Sequence, residues 1–341
     1  MNGKNQTGAA LMLVLLVTAI IATLAVQFQY AFTLNLSRVG NRWHGAQAHQ
    51  YLLGAESLAA LVLEQDLENE SQTDDLTEEW AQEVPPFPTD HGFLEARLED
   101  AQGRFNINNL DGKVNQNDGQ PILQDALRFT PPQRQFIRLL QTFDDIEDLE
   151  ITEQEAIAIT EAVIDWIDDD DEAMGFGGAE SLFYDNLTPP YQPANQLINS
   201  ISELRMIRHM TPELYTALEP FLIALPAETD LNLNTVPLKL LQVLNDVENL
   251  QPLDASDVEE IITDREAQPF DSLNTFLENP IVSSLMTQPD TTNARLGVAS
   301  NFFIMHAKAS VGEGQIRFLD SLLYRNDEGK ARAFLRRYTS Y

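Results

Sequence analysis

The sequence contains no cysteine. A disulfide scaffold and a thiolate metal site are excluded, while an oxidising compartment stays open to a chain that needs no bridges. Positive charge is scarce: 21 Lys and Arg stand against 53 Asp and Glu, a net charge of −32. Nucleic acid is not an expected partner, because phosphate binding needs a basic surface. So acidic a chain suits divalent cations and solubility. The common catalytic templates are missing too. His44, His49, His91, His209 and His306 are scattered with no H-E-x-x-H; G-x-S-x-G and G-x-x-x-x-G-K are absent; and Gly175, Gly177 and Gly178 do not make G-x-G-x-x-G. The Asp144–Asp145 pair reads as a solvated turn without a partner pattern, and no enzymatic activity is expected.

Charge is also absent from Ala9–Val26, AALMLVLLVTAIIATLAV. At 1.5 Å per residue it reaches roughly 27 Å as a helix, close to the ~30 Å of a bilayer core. The uncharged continuation to Phe32 allows tilt, and Phe28, Tyr30 and Phe32 suit an interfacial belt. The run exceeds a signal-peptide core of ~7–15 residues and no A-x-A site directly follows it, so retention is expected. Lys4 is the only charge before it, which places the N-terminus in the cytoplasm and the acidic bulk outside. The 341 residues leave room for two domains or more after the anchor.

From Thr33 to about Glu70 a helical pattern continues, with Leu52, Ala55, Ala59 and Val62 forming one apolar stripe. Gly40, Gly45 and Gly54 each weaken a helix by about 1 kcal/mol, so bends or breaks are expected there. Gln65–Asp90 reads as a loop. Phe93–Glu99 alternates with a period of two, Ala101-Gln102-Gly103 turns, and Arg104–Asn108 returns, predicting a β-hairpin. Asn106–Gly119, lacking EF-hand spacing, reads as a solvated turn. Pro121 to about Leu285 is a block of six to eight short helices, with loops around Asp168–Asn195, Pro226–Asn234 and Asn249–Asp254. Helix starts are marked by Thr130-Pro131-Pro132, Thr152 with Glu155, Ser200 with Glu203, Thr211-Pro212 and Ser256 with Glu259. Asn301–Tyr341 returns to strands: a hairpin, then Ala331–Tyr341. The fold class is α+β: one long helix on a small antiparallel sheet built from both ends of the chain, with a large all-α domain inserted between strands. The expected divisions are 1–8, 9–32, 33–120, 121–290 and 291–341.

The sharpest site candidate is the loop Asp165–Asn195. Six of the eight residues from Asp165 to Glu172 are acidic and repel one another unless a cation or solvent intervenes. Calcium takes six to eight oxygens at ~2.3–2.6 Å. Asp165, Asp168 and Asp170 lie at or beyond a helix end, and the glycines at 175, 177 and 178 allow Glu180 to fold back. A solvated acidic helix end accounts for the same composition, although Trp166, Ile167, Phe176, Phe183 and Tyr184 interleave the acids as in an ordered loop.

Two groups of residues carry a family resemblance. The leader MNGKNQTG, then Gly8-Ala9 and the apolar run, resembles the prepilin cleavage site of type IV pilins and secretion pseudopilins. Most members have glutamate five residues after the cut, where this chain has Leu13. That departure, with Asp165-Trp166-Ile167-Asp168, Asp170, Gly178-Ala179-Glu180, Pro190–Asn195, Ser202–Arg205, Gly103–Leu110 and Leu231–Thr235, is similar to the K-type minor pseudopilins of type II secretion. The resemblance implies cleavage between Gly8 and Ala9 by prepilin peptidase and methylation of the Ala9 amine. It also implies an inner-membrane anchor, a periplasmic bulk, and an inserted helical domain with calcium at Asp168, Asp170 and Glu180. It further implies a place at the pseudopilus tip in protein export, beside I- and J-type minor pseudopilins and the major pseudopilin. Family members often have a second acid where this chain has Ser181. A further likeness, from Asn232–Thr235 to Arg265–Phe270, is to helix-hairpin-helix modules, which would make the chain an anchored DNA receptor. Its hairpin, Asn245–Leu250, is acidic and lacks glycine, so packing is the expected role. An anchored hydrolase using the acidic loop is the other rival.

Overall fold

The computed structural model describes residues 7–68, 72–112, 125–147, 149–226, 228–312 and 314–339. The apolar run and the amphipathic stretch after it form one helix, α1 (Thr7–Glu68), 62 residues long and about 93 Å at 1.5 Å per residue. The breaks expected at Gly40, Gly45 and Gly54 do not occur, because helical structure runs through all three. Packing of the second half on a sheet outweighs the cost of the glycines, as most helix stability comes from a buried face rather than from propensity.

The segment read as a loop after α1 contains a short strand, β1 (Phe87–Thr89), which pairs antiparallel with β2 (Gly92–Asp100). The hairpin expected between Phe93 and Asn108 is not formed. The Asp100 side chain accepts the Gln102 N–H at 2.8 Å, closing a tight turn over Ala101–Gly103 that directs the chain out of the sheet. The return segment instead supplies β3 (Phe105–Asn106), parallel to β4 (Leu222–Ile223) in the inserted body. The solvated turn expected after it is buried from Asn106 to Leu110. Asn108 donates to the Ile198 and Leu225 carbonyls at 2.9 and 2.8 Å, and Asn109 exchanges bonds with Thr229. Residues 113–119 of that turn lie outside the described residues.

The body contains α2 (Pro131–Leu140), α3 (Glu153–Ile167), α4 (Ser181–Tyr184), α5 (Pro212–Leu218), α6 (Leu238–Leu241), α7 (Ala255–Ala267), α8 (Leu273–Leu277) and α9 (Pro280–Leu285). A second short parallel pair joins β5 (Leu231–Asn232) to β6 (Leu296–Gly297). Thr130, Thr152, Ser200 and Thr211 sit at helix starts as the sequence indicates. Ser256–Glu259 does not form a capping box, since α7 begins two residues earlier, with Asp254 at its N-cap. Phe105, Ile107, Phe136, Ile137, Val163, Trp166, Leu214, Leu233 and Val258 share one core.

The chain re-enters the sheet as β7 (Phe302–Val311), β8 (Gln315–Arg325) and β9 (Ala331–Thr339), giving the antiparallel order β1-β2-β7-β8-β9. Strands adjacent in space are thus separated in sequence by the whole inserted body: Asp100 faces Phe303. Helix α1 covers one face of this sheet. Ala48, Leu52, Ala55, Ala59 and Leu63 bury against Phe303, Met305, Ala307, Ala309, Leu319 and Leu323. Three of the five residues on the helix side of this core are alanine, which lets the helix approach closely; Val62 is half-buried at its edge.

The exit from the sheet lies at the far end of α1. Arg325, at the end of β8, donates to the Leu63 carbonyl, whereas the β7–β8 turn at Gly312 lies against His44, nearer the apolar half. A buried polar hub holds the body there. Arg325 pairs with Asp74 at 2.6 Å and with Asp66 at 2.9 Å. Asp100 accepts from Thr235, Ser300 and Asn232 at 2.6, 2.8 and 2.9 Å, and Asn232 also donates to the Asp74 carbonyl. Burial raises both acids, Asp74 to about 6 against the pull of Arg325.

Candidate metal centre and anchoring helix

The acidic loop begins where α3 ends. Thr152 and Glu155 cap its start, and Ala162, Val163 and Trp166 bury its inner face. Asp168 is the C-terminal cap: its N–H still reaches the Ile164 carbonyl at 2.9 Å while its backbone has turned extended. No basic residue lies in the last turn. A helix C-terminus carries partial negative charge, so the run of carboxylates stands where anions are least favoured without a cation.

Asp168, Asp170 and Glu180 each place one oxygen within 4.8 Å of the others. Two oxygens on one calcium at 2.3–2.6 Å lie at most about 5.2 Å apart, so the three fit a single ion. Both oxygens of Glu180 are buried and receive no hydrogen bond, although the residue is 6% exposed. Burial and then the charges of Asp165, Asp168, Asp171 and Asp170 push its carboxyl up to about 8. Leaving a buried carboxylate without donors costs several kcal/mol, which a bound cation removes.

Asp165, placed among the metal ligands on sequence, does another job. Its carboxylate accepts the Met174 N–H at 3.0 and 3.2 Å and clamps the loop onto α3. Burial raises it to about 6. The glycines are required by close approach: a side chain on Gly178 would stand 2.3 Å from Asp165 Oδ2, and one on Gly177 would stand 2.2 Å from Ala158 Cα. Glu161 accepts from Gly177 N–H and from Arg128, and Arg208 donates to the Gly178 carbonyl. Trp166, Tyr184 and Tyr191 stack beneath the loop at 5.2–6.4 Å.

Asn195, which no sequence pattern singles out, also turns toward the acidic group. Its Nδ2 donates to the Asp170 carbonyl at 2.9 Å, and its Oδ1 is buried with no donor. Its positive φ of 43° aims the side chain back at the acidic turn, and no sequence pattern announces that. A second acidic group, Asp66, Asp74 and Glu78, is also compact, but there the Arg325 guanidinium supplies the positive charge.

The stretch similar to helix-hairpin-helix modules is committed to packing. Arg138, fully buried, donates to the carbonyls of Val243, Asp246 and Asn249, and Arg265 donates to those of Leu233 and Val236. Asn234 exchanges two bonds with the Phe270 backbone. The hairpin's carbonyls therefore face inward onto an arginine.

At the other end, residues 8–67 of α1 are long and apolar enough to cross a membrane, with none of the most apolar window buried in the protein. Gly8 and Ala9 are exposed at its start, and Leu13 is 63% exposed. Residues 1–6 of the leader lie outside the described residues.

Family models described as type II secretion system (T2SS), protein K, match residues 103–227 and 231–299. The protein K of Aeromonas hydrophila is 33% identical over 329 residues, covering 96% of this chain and 95% of that protein. The chain belongs to the type II secretion system protein K family. The protein K of Pseudomonas aeruginosa is 31% identical, with 98% of this chain and 93% of its own length covered. A protein K fold has also been solved, in the crystal structure of the GspK–GspI–GspJ complex of enterotoxigenic Escherichia coli. It matches with a TM-score of 0.68 at 24% identity, over 89% of this chain and 100% of that one. As a protein K, this chain is a minor pseudopilin of the secretion system, a structural component with one apolar N-terminal helix as candidate membrane anchor.

Proposed function

We propose that this minor pseudopilin sits at the tip of the type II secretion pseudopilus and acts in its assembly and in protein export across the outer membrane. The observation that carries this reading is the position of the inserted body. It leaves the sheet between β2 and β7 at the end of α1 opposite the apolar half, where a further subunit would stack. The anchor would lie in the inner membrane with the acidic bulk in the periplasm. Prepilin peptidase would cut between Gly8 and Ala9, and the new amine would be methylated. In ordinary subunits the fifth-residue glutamate pairs with a neighbour's amine. Leu13 cannot, and a subunit with none above it needs no such pair.

The solved relative is in complex with GspI and GspJ; here the bare apolar half of α1 would bury against the helices of I- and J-type minor pseudopilins and the major pseudopilin. Asp168, Asp170, Glu180 and the Asn195 side-chain oxygen would hold Ca²⁺. The ion supplies positive charge and oxygen coordination at the end of α3. Asp165, Glu161 and Arg208 keep the loop in register for it.

Recovery of the full chain from membranes, with and without the peptidase, tests the reading. N-terminal sequencing gives Ala9 as first residue only with the peptidase, and the processed chain co-purifies with the I- and J-type subunits. A mature chain starting beyond Val26, soluble and indifferent to those subunits, sinks it.

A further inference from the structure

Strand β9 closes one side of the sheet and, among the described residues, pairs only with β8. A long unpaired edge is a template for another strand, and proteins usually blunt it. The opposite edge is blunted: β1 is three residues long and contains Pro88. Strand β9 is nine residues long and has no proline; its blunting is limited to one register shift, opposite Leu322 and Leu323, and to basic side chains that repel another basic strand but not an acidic one.

Its charge is opposite to that of the molecule. Four of the last twelve residues, Lys330, Arg332, Arg336 and Arg337, are basic and none is acidic, in a chain of net charge −32. Two of the four are used on the side facing α1: Arg336 pairs with Glu56 at 2.7 Å and Lys330 with Glu64 at 3.1 Å. Arg332 and Arg337 are exposed and make no ion pair among the described residues. Register puts them opposite Tyr324 and Asp320, on the sheet face away from α1, with Leu335 opposite Leu322 between them. Phe334 and Leu335 are both more than half exposed.

That face runs into a groove of 160 Å³ between the sheet and the inserted body. Leu335, Leu322, Ile304 and Ile223 line it with apolar surface, and Arg104 and Arg337 stand in its wall. Asp320 also lines the groove, opposite Arg337, but its carboxylate is bonded to His306, and Arg104 pairs with Glu99, which leaves Arg337 for an incoming anion. A strand added beside β9 would lie about 4.8 Å away and send alternate side chains to this face. The edge supplies backbone donors and acceptors, the groove an apolar seat, and the flanking arginines select carboxylates.

We propose that the β9 edge is a strand-addition site for an extended segment of another protein in which acidic and apolar residues alternate. It is separate from the helix-to-helix contacts made by α1 and does not depend on where in the pseudopilus the subunit sits.

The full chain in detergent micelles is titrated with three fluorescein-labelled octapeptides. One alternates glutamate and valine, one alternates lysine and valine, and the third is the glutamate peptide N-methylated at every second amide. The expected result is binding of the glutamate peptide at least tenfold tighter than either of the others. Arg332→Glu with Arg337→Glu weakens it tenfold or more, while the unfolding midpoint and near-ultraviolet circular dichroism stay as in the unaltered chain. Equal binding of the lysine peptide removes the charge selection. Equal binding of the N-methylated peptide removes strand addition. No binding of the glutamate peptide at millimolar concentration overturns the proposal, as does a dimer in sedimentation that the double substitution dissociates, since a second copy would then occupy the edge.

Discussion

A carboxylate means different things within a few residues of this chain. Asp165 is spent on the Met174 amide, Asp168 and Asp170 open toward one point, and Glu180 is buried with nothing donating to it. Desolvation decides which of them a cation would relieve, because a buried acid without donors cannot stay ionised unaided. Titration of the full chain with calcium should give heat that Asp168→Ala with Asp170→Ala abolishes. Calcium at one hundred times its dissociation constant should raise stability by about 2.7 kcal/mol. Asn195→Ala should weaken binding on the order of tenfold, equivalent to ~1.4 kcal/mol. Heat unchanged by the double substitution would remove the site. The three acids were legible because their spacing around the glycines is visible in the sequence. Asn195 was not, because its part depends on a left-handed backbone and on burial.

At the level of elements, the sheet has two unlike faces. The face under α1 is mainly apolar, with Ser321 and Arg336 meeting Glu56 at its margin. The other carries a ladder of polar cross-strand pairs: His306 on β7 lies 2.7 Å from Asp320 on β8 and 3.2 Å from Glu99 on β2, and Lys308 pairs with Glu95. The bond to Glu99 raises His306 above its usual 6.5, with burial opposing and Asp320 assisting. Burial would raise Glu99, but its bonds from His306 and Arg104 prevail and hold it at about 2. A histidine whose folded value is raised contributes stability in full below pH 6.5, and that contribution fades as pH rises through the folded value. Melting from pH 5.5 to 9 should show a loss on the alkaline side that His306→Gln lacks. Equal pH profiles would show the histidine to be uncoupled from folding. The period of two in Phe93–Glu99 disclosed a strand, but not its partners. Pairing is non-local, and the nearby return segment lost to one some two hundred residues away because Asp100 caps a turn that leads out of the sheet.

For the molecule as a whole, the question is how two cores stay in one orientation. The apolar contact between them is small, centred on Ala101, Leu225 and Phe302, so the polar hub around Arg325, Asp74 and Asp100 fixes the angle. Breaking a buried pair from one side leaves an uncompensated charge. Asp74→Ala should therefore destabilise the chain by about 3 kcal/mol in urea unfolding, whereas Asp74→Leu with Arg325→Met should recover much of that. A single substitution with no cost would mean that the hub is solvated and that another contact orients the body.

Residue order and charge alone disclose that an uncharged helix begins near residue 9, that an acidic body follows, and that strands from both ends of the chain flank a block of helices. Hydrophobic period and charge are local properties and survive without coordinates. Which strand lies beside which, that α1 runs unbroken through three glycines, that buried asparagines tie the returning segment to the inserted body, and that Asn195 faces the acidic turn were decided by the tertiary structure alone. Each depends on burial by residues distant in the chain, and desolvation sets the energy of a polar group only once its neighbours are in place.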